Sequence, residues 1–400
     1  MNRRKERQVA RRRLTSAETE PAEALAAARW LQKDGAITAA REALDGRAAA
    51  GANDETTRRL RIEFTLRDVE GLGDAKRLAE AERLLDAERD SKKKRLPAAF
   101  APLGAVWDRQ DALYKAEQIF SGTDPGAGKT LIKLAKRLKA HSDFSAARRL
   151  FGKAKARGDL EPARELYASQ QEALCTYKDP AMPRAARLDD ALKLLQRADL
   201  RDDRPSAESL GLAGAIYKRK WELGNRLADL RESRRHYQAG HDESETNQPT
   251  RAGDPDRGED PNLLYRNPDW DAGYNGINAA FLGDKLASLE PDVAMAGNLR
   301  DAASQLRESL VASLEQFLGD SRVAEKSKRD WWLLATLVEA AFGLALHPEP
   351  SVDELDERFA PLERWIDEAR GLAGTPDWEV RSTATQLVEL TRVLGVEVRR

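Results

Sequence analysis

One cysteine, Cys175, stands among the 400 residues. It allows no intrachain disulfide and no cysteine zinc cluster, and it suits a reducing compartment. No apolar run approaches the roughly 18 residues needed to cross a bilayer. The opening MNRRKERQVARRRL is basic, with no apolar core behind it, so it does not read as a secretory signal. Net charge is nearly absent too. The chain carries 67 basic and 68 acidic side chains, which argues against a general polyanion binder. Nothing alternates convincingly as strand. What the chain has in quantity is charge, 34% of residues, at a mean hydropathy of −0.66. The expectation is a soluble, cytoplasmic, charge-laced helical protein. Arginine outnumbers lysine more than two to one, a bias that points to a GC-rich bacterial genome.

A repeat then stands out. Phe100, Leu103, Gly104 and Trp107 are followed by Ala116, Phe120 and Thr123. Leu131, Leu134, Ala135 and Leu138 are followed by Ala147, Phe151 and Ala154. The offsets in both runs are 3, 1, 3, then 9, 4, 3. Steps of three and four keep residues on one helical face, and the small residue within each set lets two backbones approach. The spacing resembles the tetratricopeptide repeat (TPR), with one set on helix A and the other on helix B. It predicts an all-α, TPR-like α-solenoid, a right-handed superhelix of antiparallel helix pairs whose surface holds other proteins.

The rest of the chain extends the pattern. Residues 1–18 are expected to be a basic, disordered tail, 19–204 a set of N-terminal repeats, and 205–400 a second set. A pair over about 21–50 sets Ala24, Ala27, Ala28 and Leu31 against Ala40 and Leu44, with Asp34-Gly35 as its turn. A less regular pair spans about 54–90. The two overlaid repeats cover about 97–160, so each should be a helix A and a helix B. Pro162 opens a fifth pair, and Leu210, Ala213, Gly214 and Tyr217 face Ser233, Tyr237 and Gly240 in a sixth. Residues 241–261 hold seven acids and no large apolar side chain, the composition of a flexible loop. Tyr274, Ile277, Asn278 and Phe281 resume helix A spacing, with Gly276 expected at the turn opening that helix. A long helix from about Pro291 to Leu318 follows. The last pair sets Trp332, Ala335, Thr336 and Glu339 before Leu362, Ile366 and Ala369. A helix with Trp378, Leu387, Leu390 and Leu394 is expected to cap the stack.

From about Ser206 the blocks ESLGLAGAIYKRKW, RRHYQAG, GYNGINAAFL, DWWLLATLVEAA and DWEVRSTATQLVEL together resemble the TRAF-binding region of the apoptosis signal-regulating kinases and bacterial proteins with the same module. Asn275 stands where that family usually has proline, and no kinase domain is present. The resemblance implies a helical-repeat regulatory or scaffolding module, of a kind often joined to, or encoded beside, effector or signalling enzymes in bacteria. It does not imply kinase activity. Asn278 occupies the crowded position where TPRs prefer glycine, so its amide needs hydrogen bonds, most simply ones that tie neighbouring helices.

Other motifs hint at chemistry. Gly122 to Thr130 looks like a phosphate loop, yet the required glycine position holds Thr123, and helix rather than strand should precede it. Lys129 and Thr130 would still begin a helix, where an anion is favoured. Cys175 has no protease signature around it and reads as structural. His141 is the nearest histidine in sequence and sits in an inter-helix turn. His236 and His241 are badly spaced as ligands, and a metal on His241, Asp242 and Glu243 is a minor reading. Glu161 with Glu165, and Asp189 with Asp190, read as solvated faces. Two basic runs, Arg3 to Arg13 and Lys92 to Arg95, could meet phosphates. The first lacks interleaved aromatics, which argues against base stacking.

The expected function is therefore non-enzymatic. A scaffold or adaptor would bind a protein partner, such as an effector or signalling enzyme, through its helix A surface, with no cofactor, metal or membrane. The candidate contact residues are Lys218, Arg219, Tyr274, Asn275, Asn278 and Trp331. The alternative is a phosphate- or nucleic-acid-binding regulator using the basic tail, Lys92–Arg95 and Lys129.

Overall fold

Caps and breakers in the sequence fix several helix ends. The computed structural model describes residues 3–69, 75–90, 95–246, 273–319, 330–347, 354–372 and 377–395. The chain divides into two compact units, residues 1–160 and 161–400, a division that does not fall at the expected 204/205 boundary. No strand occurs among the described residues, and the fold is an all-α solenoid of helix pairs.

The first unit holds α1 (Arg3–Thr15), α2 (Pro21–Lys33), α3 (Ile37–Ala49), α4 (Glu55–Arg67), α5 (Ala75–Ala87), α6 (Ala101–Phe120), α7 (Gly128–Ala140) and α8 (Phe144–Lys155). Gly35, at φ +76°, makes the turn between α2 and α3, a left-handed conformation that glycine adopts without steric cost. Asp54 caps α4 by accepting from the Thr57 amide at 2.9 Å, which satisfies one of the orphan donors of a helix start. Ser142, at φ 62°, turns the chain between α7 and α8. Ala135, Leu138, Ala147 and Phe151 are all buried there, so the 131–154 repeat is a true A/B pair.

Two expectations fail in this unit. Residues 3–15 are helix α1, not a disordered tail. Ala10 and Leu14, one helical turn apart, enter the core formed by α2, α3 and α4. Arg3 and Arg7 grip Asp34, each at 2.6 Å, and Arg11 meets Glu42 at 2.9 Å. The 100–123 repeat, expected as a helix pair, is instead the single helix α6. The stretch from Ala105 to Ala112 contains no glycine, proline or Asx-Gly dipeptide, so nothing interrupts the backbone ladder where the A/B turn should fall.

The second unit holds α9 (Pro162–Lys178), α10 (Arg184–Ala198), α11 (Ala207–Gly224), α12 (Leu227–Thr246), α13 (Tyr274–Ala287), α14 (Val293–Gly319), α15 (Trp331–Leu346), α16 (Leu355–Arg370) and α17 (Asp377–Val393). Successive helices pair as A and B: α9 with α10, α11 with α12, α13 with α14, and α15 with α16. Pro162 occupies the first turn of α9. Ser206 caps α11, Asn225 ends it at φ 49°, and Asp330 caps α15. The α11/α12 crossing is close because Gly214 leaves room for a ring. A Cβ there would stand 2.7 Å from Tyr237, and the Ser233 hydroxyl donates to the Gly214 carbonyl at 2.7 Å.

Three details differ from expectation. Residues 241–246 belong to the end of α12 rather than to the acidic loop; residues 247–261 lie outside the described residues. The glycine that opens α13 is Gly273, at φ +79°. Gly276 lies inside the helix, where a Cβ would come within 2.9 Å of His241 Nδ1. Finally, α17 packs chiefly on α13 and α15 and so is not a cap on the end of the stack. The side chain of Trp378 lies outside the described residues.

Candidate protein-interaction face

The A helices α11, α13 and α15 each contribute a polar or aromatic side chain to one locus. Lys218 of α11 donates its ammonium to Gln386 Oε1 of α17 at 2.8 Å. The same nitrogen stands 4.3 Å from the centroid of the Phe281 ring of α13, in cation–π range. Gln386 Nε2 donates in turn to Glu339 Oε2 of α15 at 2.6 Å. A carboxamide thus bridges a half-buried ammonium and a buried carboxylate.

Enclosure dominates the electrostatics. Burial pulls the Lys218 ammonium down to about 8, with Arg219 adding repulsion against the pull of Glu222, Glu339 and Glu389. Burial pushes Glu339 up to about 7, although Lys218, the Gln386 hydrogen bond and Arg307 favour its charge. Arg219 is exposed. Burial disfavours its charge as well, but Glu222, at 2.6 Å, leaves the guanidinium above its ordinary range.

An aromatic track runs beside this locus. Tyr237 and Tyr274 meet edge to face with centroids 6.0 Å apart, and Tyr274 and Trp332 likewise at 5.8 Å. Burial raises both phenols, Tyr237 strongly, and Tyr177 of α9 is raised for the same reason. These hydroxyls remain neutral donors and acceptors at physiological pH. Tyr177, Lys218, Tyr274 and Trp332 keep part of their surface open to solvent. A face of this kind can hold apolar side chains on its rings and amides or carboxylates at Lys218 and Arg219.

The six expected contact residues divide. Lys218, Arg219 and Tyr274 lie at this face. Asn275 is buried between helices: its Nδ2 donates to the Ala207 carbonyl at 2.9 Å, and Cβ atoms at Gly211 or Gly240 would each stand 2.6 Å from its amide. Asn278 is buried as well and donates to the Tyr274 carbonyl of its own helix at 2.9 Å. The inter-helix tie expected of Asn278 is therefore made by Asn275, one turn earlier. Trp331 is half-buried at the first turn of α15. Gln386 and Phe281 are members of the site that sequence reasoning missed. Phe281 carried a signal, because it falls on the helix A offsets, whereas nothing local marks Gln386.

The motifs that hint at catalysis are accounted for otherwise. The Gly128 amide, at the start of α7, donates to Asp159 Oδ2 at 3.0 Å. The anion position of the apparent phosphate loop is thus filled by the protein's own carboxylate. His141 meets Asp108 at 2.8 Å in a network with Arg137. Cys175 is fully buried. Among the described residues no group of three or more His, Cys, Asp or Glu could hold a metal ion. Glu243 pairs with Arg204, Glu161 with Arg164, Asp189 with Lys220 and Asp190 with Lys193. No described helix is long and apolar enough to cross a membrane.

Helix pairs stacked with small residues at their crossings define an all-α helical-repeat solenoid. Residues 143–283 match the family described as Tetratricopeptide Repeats-Sensor. That stretch runs from α8 into α13 and contains Lys218, Arg219, Tyr274, Asn275 and Asn278, but not Trp331. No curated protein and no solved structure matches the chain.

Proposed function

We propose that this protein is a non-enzymatic scaffold or adaptor that binds a protein partner through the A-helix face of residues 161–400, in bacterial signalling or effector regulation. The observation that carries the reading is the half-open track of Tyr177, Arg219, Lys218, Tyr274 and Trp332 on successive A helices. It lies beside small-residue crossings that hold those helices in register. The resemblance to the regulatory region of the signal-regulating kinases and the sensor-type repeat match support a regulatory rather than catalytic role. In TPR-type stacks such faces bind polypeptide, and a stable partner covers about 800 Å² per side.

The alternative, a phosphate- or nucleic-acid-binding regulator, has less support. Arg3, Arg7 and Arg11 form ion pairs with Asp34 and Glu42, and Asp159 occupies the start of α7. Lys92, Lys93 and Lys94 lie outside the described residues. Affinity capture from a bacterial host at low and high salt separates the readings, with Arg219→Glu as the control. The scaffold reading expects a stoichiometric protein that survives high salt and is lost with the variant. Recovery of nucleic acid or acidic proteins alone, released by salt and indifferent to Arg219, would overturn it.

A further inference from the structure

The last described helix, α17, is not placed as a cap on a repeat stack would be. A cap would extend the stack beyond α16, the helix that precedes it. Instead α17 packs on the A helices. Gln386 reaches Lys218 of α11 and Glu339 of α15. Leu390 and Leu394 join the apolar cluster that contains Phe281 and Tyr274 of α13. Leu387 joins the cluster of Leu334 and Val338 of α15. Thr383, Leu390 and Val393 are buried, and Gln386, Leu387 and Leu394 are half-buried. These six lie at offsets 0, 3, 4, 7, 10 and 11, one continuous helical stripe. The opposite side, with Arg381, Ser382, Thr385 and Arg392, faces solvent.

That is the geometry of an amphipathic helix laid in a groove. Most of the stripe is apolar, and its one carboxamide falls where the groove presents an ammonium on one side and a carboxylate on the other. We propose that the face lined by α11, α13 and α15 is a receptor for an amphipathic helix, that α17 occupies it within the same chain, and that the partner presents a helix of the same pattern: aliphatic residues at α17's stripe positions and a carboxamide at that of Gln386. Partner binding then displaces α17. The inference rests on the reading of this face as an interaction surface, and it adds the class of ligand and a resident competitor. The groove's own chemistry selects for it. An amide can accept from Lys218 and donate to Glu339 at once, whereas an acidic side chain would meet Glu339 and a basic one Lys218. Competition of this kind lowers the apparent affinity of any partner by the fraction of molecules in which α17 is released.

The test uses the full-length chain and a fluorescent synthetic peptide of residues 377–395. Leu387→Asp with Leu390→Asp should release α17, and the variant should bind the peptide at least tenfold more tightly than the wild type, by fluorescence anisotropy. Lys218→Met in the released background should weaken that binding several-fold. Should the double variant lose helicity, Leu390→Ala alone serves, with the same ordering expected. A released, cooperatively folded variant that ignores the peptide would overturn the proposal, as would equal binding by wild type and variant. A wild-type dimer that the double variant dissolves would also overturn it, because α17 would then be exchanged between copies. If a captured partner binds wild type and released variant alike and the peptide does not compete, the scaffold reading stands and this inference falls. If the peptide binds but no partner is captured, the groove stands and the scaffold reading is what fails.

Discussion

Between Lys218 and Glu339 stands one carboxamide, that of Gln386, and the ionisation of the pair sets a pH dependence. Glu339 has its folded value raised to about 7 by burial. Its favourable contribution is therefore complete below the ordinary carboxylate range and is lost as pH rises through 7. Lys218 is lowered to about 8 by burial, so its contribution is complete above the ordinary lysine range and is lost as pH falls through 8. Between about 7 and 8 both charges are carried inside the fold, and their combined contribution is least. Arg219, Glu222, Glu389 and Arg307 face the pair and shift the window without removing it. Glu339→Gln should be more stable than wild type at pH 7.5 by on the order of 1–3 kcal/mol, with the advantage shrinking toward pH 5. Thermal melts across that range check it, and an advantage that is flat or grows toward pH 5 would contradict the assignment. A pair of glycines makes a second residue-scale test. A Cβ at Gly343 would stand 2.3 Å from Nε of the fully buried Arg307, which Asp284 holds in place. Gly343→Ala should cost about 1–3 kcal/mol by overpacking. Gly297, inside α14, has nothing within 4 Å of a Cβ, so Gly297→Ala should stabilise by about 0.5–1 kcal/mol. Denaturant midpoints that moved both variants the same way would refute the packing around Arg307.

At the scale of elements, helix α1 offers the sharpest test, because a disordered tail and a packed helix respond differently to one substitution. Leu14 is fully buried against α2 to α4, so Leu14→Ala should cost about 2–5 kcal/mol in urea unfolding. A tail would lose nothing. Elements are legible in the sequence where chain reversal needs special residues. Gly35 and Pro162 mark their boundaries plainly, and the 131–154 repeat folds as its offsets require. The offsets alone cannot distinguish 100–123, because residue spacing is the same whether a turn interrupts the helix or not. Only the absence of a breaker between Ala105 and Ala112 carries that information. Helix α1 is hidden by seven basic residues from Arg3 to Arg13 that obscure Ala10 and Leu14, an i, i+4 pair, and the acids that meet three of those charges, Asp34 and Glu42, lie far along the sequence. The role of α17 is legible as an amphipathic stripe and illegible as a location. A stripe fits any apolar face, and its partners lie 47 and 168 residues away in sequence. Asn275 and Asn278 show the same limit within the site. Both read as polar residues on an A helix, but only tertiary packing against Gly211 and Gly240 decides that Asn275 is framework.

For the whole molecule, the proposed scaffold role turns on sidedness. The partner should meet the A helices of residues 161–400, where rings, Lys218 and Arg219 converge, and not the B helices behind them. Arg219 of α11 and Arg235 of α12 are both exposed, and each is paired within its own helix, with Glu222 and Glu232 respectively. Replacing either with a photo-crosslinking phenylalanine derivative therefore leaves the core untouched. The measurement is to express the two full-length variants in a bacterial host, irradiate, and identify the adducts by mass spectrometry. A protein adduct at position 219 that is absent at 235, and that an excess of the 377–395 peptide suppresses, is the predicted result. The same adduct at 235 alone, or at both positions equally, would contradict the account.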